Sequence, residues 1–445
     1  MRILSITAGA AEMYCGSCLR DNALAAELLA RGHEVTLLPL YTPTLTDEPN
    51  VSRSDVLFGG ISMYLQQYSS LFRRTPRFLD RLCDSPRIIK AFANRSVSTD
   101  PRLLGELTIS MLEGPSGVLR KEFDKLLEWI ADEPLPDIIN LPNSLLIGLA
   151  HPLAKALGRP ICCTLQGEEL FLSGLPEPYR TRSLDLIRRQ VKEVDLFIAI
   201  SEYCATFMAD HLRIPDERIA VVPLGVNATN YQQRENVDDI FRVGYLARVA
   251  PEKGLHLLAE AFHRFRKCAP AAHVRLEVAG YLAPEHKGYL ADVRAFLNQA
   301  GIAEDFSYHG AVNLDEKMTF LRRLDVLSVP AVYDDPKGLF ILEALASGVP
   351  VVQPRRGAFV EIVERTGGGL LVNADDPESL ADGLEQLWRD RARREELGRT
   401  GYERVRTQHS IQYSADCLLK VYDRVLSENR LGAGPEGRLT ASRVR

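Results

Sequence analysis

Short apolar runs alternate with amphipathic stretches along most of the chain, and glycine-bearing loops separate them. Residues 2–7, Arg-Ile-Leu-Ser-Ile-Thr, read as a buried strand, followed by a loop over 8–18 that carries Gly9 and Gly16. Residues 21–30 have the spacing of an amphipathic helix closed by Gly32, and 34–39 form a second strand. Strand, glycine loop, helix and strand make a βαβ unit, which requires parallel pairing and a right-handed crossover. The same grammar restarts at Phe241-Arg242-Val243-Gly244-Tyr245-Leu246, with a helix over Leu255–Cys268 and further strands at about 274–279, 326–330, 349–353 and 370–372. Residues 225–239 are polar and weakly periodic and read as a linker. The expectation is therefore an α/β protein of two parallel-sheet halves, 1–225 and 226–428, with a cleft lined by the carboxyl ends of both sheets. Residues 51–130 break the alternation and read as a helical insertion in the first half. Residues 429–445, with three glycines and one proline, read as a disordered tail.

Composition narrows the class. The chain has 445 residues, 46% hydrophobic and 25% charged, which suits a globular protein of about two domains and excludes collagen-like or disulfide-scaffold chains. No apolar run approaches the roughly 18 residues of a membrane span. With 54 Lys and Arg against 59 Asp and Glu, the net charge of −5 gives no reason to expect nucleic acid as a partner. The first residues lack the apolar core of a signal peptide, so the expected location is cytoplasmic, and the eight cysteines are expected to be reduced thiols. The sequons at Asn50, Asn94 and Asn227 are then without consequence.

Two stretches carry chemistry. In 333–352 a loop enters a helix at Gly338, so N–H groups around Gly338, Leu339, Phe340 and Ile341 are expected to be free to hold an anion. Asp335 lies on that loop and Glu343 on the helix, in an apolar context where burying a carboxylate requires hydrogen bonds. In 244–254, Arg248 leaves a strand end and Lys253 starts the next helix, placing two cations where they can share a diphosphate without a metal. Taken singly, such residues are ordinarily solvated surface charges. The joint placement of the two motifs favours a site.

Other candidates are weaker. Cys15-x-x-Cys18 precedes a helix, the setting of redox and metal motifs, yet no second Cys/His pair has zinc spacing, and packing within the loop is the simpler reading. His151 and His309 stand alone, and no Walker-type phosphate loop occurs. Arg73, Arg74, Arg77, Arg81, Arg87, Lys90 and Arg95 form a basic run opposed by Asp80 and Asp84. It reads as a solvated helix face or as a surface for an anionic acceptor or acidic lipids.

Together the two stretches resemble the retaining GT-B glycosyltransferases of family 4, over nearly the whole chain and most strongly over 241–375 and 1–40. The family pattern is G-R-x-x-x-x-K-G followed by E-x7-E within G-x-x-x-x-E-A-x-A-x-G-x-P-V-V. The resemblance implies two Rossmann-like, doubly wound domains facing a central cleft. It assigns Arg248 and Lys253 to the donor diphosphate, Glu343 to the ribose hydroxyls and the loop around Gly16 to the donor phosphate. It also implies transfer of a sugar from a nucleotide-sugar to an acceptor hydroxyl with retained configuration, without metal or other cofactor. In the family a leaving-phosphate oxygen assists deprotonation of the incoming hydroxyl. A sugar, lipid-linked or small-molecule acceptor, and a peripheral contact at the inner membrane surface, are compatible with it. Three departures from the family matter. Asp335 stands for the first Glu, which contacts the donor sugar. Gln166, in Thr164-Leu165-Gln166-Gly167, stands for the usual histidine, and Asn143 aligns with another. These departures keep open a non-hydrolysing nucleotide-sugar epimerase and a non-catalytic sugar-nucleotide-binding protein.

Overall fold

The computed structural model describes residues 1–9, 15–54, 56–58, 101–234, 238–269 and 273–432. The basic run from Arg73 to Arg95 lies outside the described residues. The chain divides into two compact units. One comprises 1–200, 204–222 and 415–445, the other 201–203 and 223–414.

The first unit holds β1 (Arg2–Thr7), β2 (Glu34–Pro39), β3 (Ile138–Leu141), β4 (Ile161–Leu165), β5 (Leu196–Ala199) and β6 (Ile219–Val221), all parallel, in the order β2-β1-β3-β4-β5-β6. Its inner strands are mostly apolar because helices cover both faces; β3 and β4 are buried at every residue, Asn140 and Thr164 included. The first helix begins at Gly16, earlier than the sequence spacing predicts, and runs to Ala30, so Cys18 lies in its first turn and not in a loop. Of the insertion, helices Pro101–Leu112 and Arg120–Ala131 are described. Phe123 and Phe58 meet edge to face at 5.6 Å inside this unit's core. The last described helix, Ile411–Gly432, continues through four residues expected to be tail, and its Leu418 and Tyr422 are buried beside Ile3 and Ser5 of β1.

The second unit contains β7 (Phe241–Leu246), β8 (Val274–Ala279), β9 (Phe306–Tyr308), β10 (Val326–Leu327), β11 (Val351–Pro354) and β12 (Gly369–Val372), again all parallel, ordered β12-β11-β10-β7-β8-β9. Leu255–Cys268 is helical as the spacing predicts, and Phe262 and Phe265 pack against each other, with Phe241 of β7 against Phe265. Both units are therefore Rossmann-like α/β layers. In each, the chain winds outward from a first strand and then returns to that strand's other side. This leaves a crevice at the carboxyl ends of β1 and β3 in one sheet, and of β7 and β10 in the other. Among the described residues no helix is long and apolar enough to cross a membrane.

Candidate functional site

The β7/β10 crevice collects the residues singled out in the sequence. After β7 the chain passes Arg248, makes a 3-10 turn over Pro251–Lys253 and reverses at Gly254, whose φ is +73°. A Cβ there would sit 1.9 Å from the Pro330 carbonyl oxygen, so only glycine lets this loop run against the one that follows β10. The Val332 N–H donates to the Glu252 carbonyl at 3.0 Å and ties the loops together. At the far side Gly357 allows the backbone to approach Asp335, whose carbonyl accepts from the Ala358 N–H at 2.9 Å.

This framework brings Lys253 and Asp335 together. The ammonium donates to Asp335 Oδ2 at 2.6 Å and to the Tyr333 hydroxyl at 2.5 Å, and lies 4.8 Å from the Tyr333 ring centre. Tyr333 in turn donates to Asp335 Oδ2 at 2.8 Å, and the Lys337 N–H to Oδ1 at 2.9 Å. Burial works to raise the Asp335 pKa, but the Lys253 charge and these hydrogen bonds outweigh it and hold the carboxyl down at about 2. For Tyr333, burial and then the Asp335 charge push the phenol far above its ordinary range.

Glu343 has a second lysine. Helix Leu314–Arg322 starts at a capping box between Asn313 and Glu316, which fixes its first turn and places Lys317. Lys317 Nζ donates to Glu343 Oε1 at 2.6 Å, and the Tyr231 hydroxyl donates to the same oxygen at 3.1 Å. Both ions are buried, the condition under which pairing decides whether a charge is tolerable. Arg248 differs. Its side chain is 46% exposed and pairs with Glu252 at 3.1 Å, one helical turn along the sequence.

Helix Leu339–Ala346 begins where the sequence predicts, with Gly338 as its left-handed N-cap residue (φ +64°). One part of the anion-site expectation needs correction. The Ile341 N–H is not free, because it donates to the Gly338 carbonyl at 2.9 Å in a tight first turn. Leu339 and Phe340 occupy the first two helical positions.

Gly16 and Gln166 belong to the other unit, at the β1/β3 crevice. Gly16 opens the first helix. Gln166 follows β4; its N–H donates to Glu168 Oε2 at 2.8 Å, and its amide nitrogen donates to the Pro142 carbonyl at 2.9 Å and to Asp21 Oδ1 at 3.2 Å. Thr7 Oγ1 donates to Asp21 Oδ2 at 3.1 Å, and Arg20 lies 3.3 Å from Oδ1. Burial raises the Asp21 pKa to about 6, against the Arg20 charge and the donors from Thr7 and Gln166. The Gln166 Oε1 and Asn143 Oδ1 atoms are buried and make no hydrogen bond within the protein. His151 and His309 pair with Glu193 and Glu277.

Tyr231, Lys317, Tyr333 and Asp21 escaped the sequence reading. The Asn313-x-x-Glu316 cap signal was legible and would have placed Lys317 in a helix's first turn, though not against Glu343.

Two family models match the chain. Residues 107–230 match Glycosyltransferase Family 4 and residues 227–404 match Glycosyl transferases group 1, an unbroken span of two thirds of the 445 residues. A D-inositol 3-phosphate glycosyltransferase of Stackebrandtia nassauensis is 27% identical over 287 residues, 61% of this chain and 61% of that protein. An Arthrobacter relative of the same name is covered over 54% of its length, so the chain spans little more than half of these relatives. The GDP-mannose-dependent alpha-(1-6)-phosphatidylinositol monomannoside mannosyltransferase of Mycobacterium tuberculosis is 25% identical over 339 residues, 72% of this chain and 82% of that one. Among solved structures, the sucrose-phosphate synthase of Thermosynechococcus elongatus superposes with a TM-score of 0.69 at 17% identity, covering 96% of this chain and 99% of its own. The pair of Rossmann-like domains is thus of the GT-B class.

Proposed function

Because the chain belongs to the group 1, family 4 glycosyltransferases, we propose that it moves a sugar from a nucleotide-sugar donor to an acceptor hydroxyl with retained anomeric configuration. The observation that carries this reading is the β7/β10 crevice, where Lys253–Asp335 and Lys317–Glu343 flank the start of one helix, and Arg248 projects beside them. A donor has a dianionic diphosphate between two polyhydroxylated groups. Cations for the first and oriented carboxylates for the second are the groups such a ligand requires.

In this reading Lys253 and Arg248 compensate the charge that grows on the departing diphosphate, the usual largest contribution of a preorganised site. Glu343, oriented by Lys317 and Tyr231, accepts hydrogen bonds from ribose hydroxyls through Oε2. Asp335 is one methylene shorter than the family's glutamate and already engages Lys253, Tyr333 and the Lys337 N–H, so a sugar hydroxyl adds to a network already in place. No metal is called on. The names of the relatives favour an inositol- or lipid-linked acceptor, and with it a peripheral contact at the membrane.

The test is a panel of nucleotide-sugars, read by thermal shift and by released nucleotide, with and without candidate acceptors. Binding and slow hydrolysis of at least one donor are expected, with Arg248→Ala and Lys253→Ala each losing about 2–4 kcal/mol of transition-state stabilisation. Kinetics unchanged within about twofold in both variants would sink the site. Conversion of the donor alone into an isomer would replace transfer with epimerisation.

A further inference from the structure

Cys15-x-x-Cys18 lies where the loop after β1 enters the first helix. The structure puts Cys15 at the N-cap of helix Gly16–Ala30, with extended backbone (φ −111°, ψ 123°), and Cys18 three residues on, in the first turn. Side chains at N-cap and N3 turn toward each other, the relation a capping box exploits. Here both carry sulfur, and no side-chain bond from Cys15 caps the helix. Residues three apart on a helix have Cβ atoms about 5–6 Å apart. A disulfide needs about 3.5–4.5 Å. The Cys15 carbonyl accepts from the Leu19 N–H at 2.9 Å, but its own φ and ψ are extended and not helical, so a modest rotation at this one residue closes that gap. Among the described residues no group of three or more His, Cys, Asp and Glu is placed to share a metal, so the pair has no ligand partners there.

We propose that Cys15 and Cys18 form a reversible intramolecular disulfide, a thiol-oxidation site at the carboxyl end of β1. Cys15 is half-buried and Cys18 buried, so Cys15 is the thiol that meets an oxidant. The oxidant is a small-molecule disulfide such as oxidised glutathione. The Cys15 thiolate, favoured at a helix N-terminus, attacks one sulfur and expels one glutathione thiolate, leaving a mixed disulfide. Cys18, as thiolate, then attacks the Cys15 sulfur and expels the second glutathione. Two protein thiols become one disulfide, one glutathione disulfide becomes two glutathione thiols, and the two protons lost by the protein thiols end on the two expelled glutathione thiolates. In the reduced protein the contact with Cys15, ahead of burial, pushes the Cys18 thiol up. The mixed disulfide removes that thiol partner, easing the second ionisation.

The other described cysteines do not offer a second CxxC link. Cys162 and Cys163 are successive residues of β4, so their side chains point to opposite faces, and both are buried, as is Cys204; Cys268 is exposed and Cys417 half-buried, and each stands without a cysteine three residues away, so either can carry a glutathione adduct but not a local link. Cys18 also touches the network described above. Thr7 Oγ1 lies 3.9 Å from its sulfur and donates to Asp21, which Gln166 also holds.

The experiment equilibrates the full-length protein with glutathione mixtures from fully reduced to fully oxidised, followed by acid quench, alkylation, intact mass and peptide mapping. The expected result is loss of two of the eight alkylatable thiols, with a Cys15–Cys18 link that dithiothreitol reverses. Cys18→Ser should stop at a glutathione adduct on Cys15, and Cys15→Ser should leave Cys18 as a free thiol. All eight thiols still alkylated in the oxidised mixture, or an adduct accumulating on Cys15 of the wild type without the link, overturns the proposal. Mapping of the wild type needs no variant to fold and does not depend on glycosyl transfer, so its failure leaves that reading standing.

Discussion

At the β7/β10 crevice Asp335 is 3% exposed and at the β1/β3 crevice Asp21 is 5% exposed, yet the first carboxyl is held at about 2 and the second raised to about 6. Burial pushes both upward. The difference lies in their partners. Asp335 receives an ammonium at 2.6 Å, a phenol and a backbone N–H, three donors fixed by two interlocked loops. Asp21 receives one guanidinium nitrogen at 3.3 Å and two neutral donors at 3.1 and 3.2 Å, and Arg20 Nη2 is itself buried without a hydrogen bond. Two Rossmann-like sheets thus place a buried aspartate at equivalent crevices and give it opposite protonation behaviour. Charge and donor geometry set the ionisation of these aspartates; burial alone sets neither.

The largest effect expected is from breaking the better-paired crevice. Lys253→Ala leaves Asp335 as a buried uncompensated charge and should destabilise folding by about 3–5 kcal/mol, read from denaturant unfolding. Adding Asp335→Asn should recover part of that loss; an unshifted unfolding midpoint in the single variant would break the comparison. Next comes Asp21. Its folded pKa of about 6 exceeds the unconstrained 3.8, so the folded state binds the extra proton. Stability relative to Asp21→Asn should therefore fall by about 3 kcal/mol as pH rises from about 4 to about 6, then level off. A flat difference across that window would show the carboxyl to be paired as well as Asp335.

Asp335 should behave in the opposite sense. With a folded pKa near 2 against 3.8, its contribution is present above about pH 4 and lost as pH falls through about 2, a change of about 2 kcal/mol relative to Asp335→Asn. In kinetics, Asp335→Asn should cut turnover more than donor affinity, while Asp335→Glu is better tolerated; wild-type turnover in Asp335→Asn would remove this carboxylate from the sugar site. The smallest stability effect belongs to Arg248→Ala. An exposed pair of the Arg248–Glu252 kind is worth under about 1 kcal/mol, so unfolding should barely shift while donor turnover falls. A large unfolding shift would make Arg248 a structural residue.

The sequence by itself determined the alternation of strands and helices, because the inner strands of these sheets are covered on both faces and are mostly apolar, as Ile138–Leu141 is but for Asn140. It also determined the turns that only glycine can make, at Gly254 and Gly338, and the local motif order that puts Arg248 and Lys253 after one strand and Asp335 and Glu343 around one helix. Helix starts were less legible: Gly16–Arg20 joins the first helix without a capping side chain to announce it. Only the tertiary structure decided which charges meet. Asp335 and Lys253 are 82 residues apart and Glu343 and Lys317 are 26 apart, with no periodicity to link them. The Lys253–Asp335 pairing follows from β10 lying beside β7 in the sheet, which aligns two loops that sequence spacing leaves independent. Asp21 shows the same limit. Beside Arg20 it reads as an ordinary helix-surface charge, and only the approach of Thr7 and of Gln166, 145 residues away, makes it a buried acid with a raised pKa.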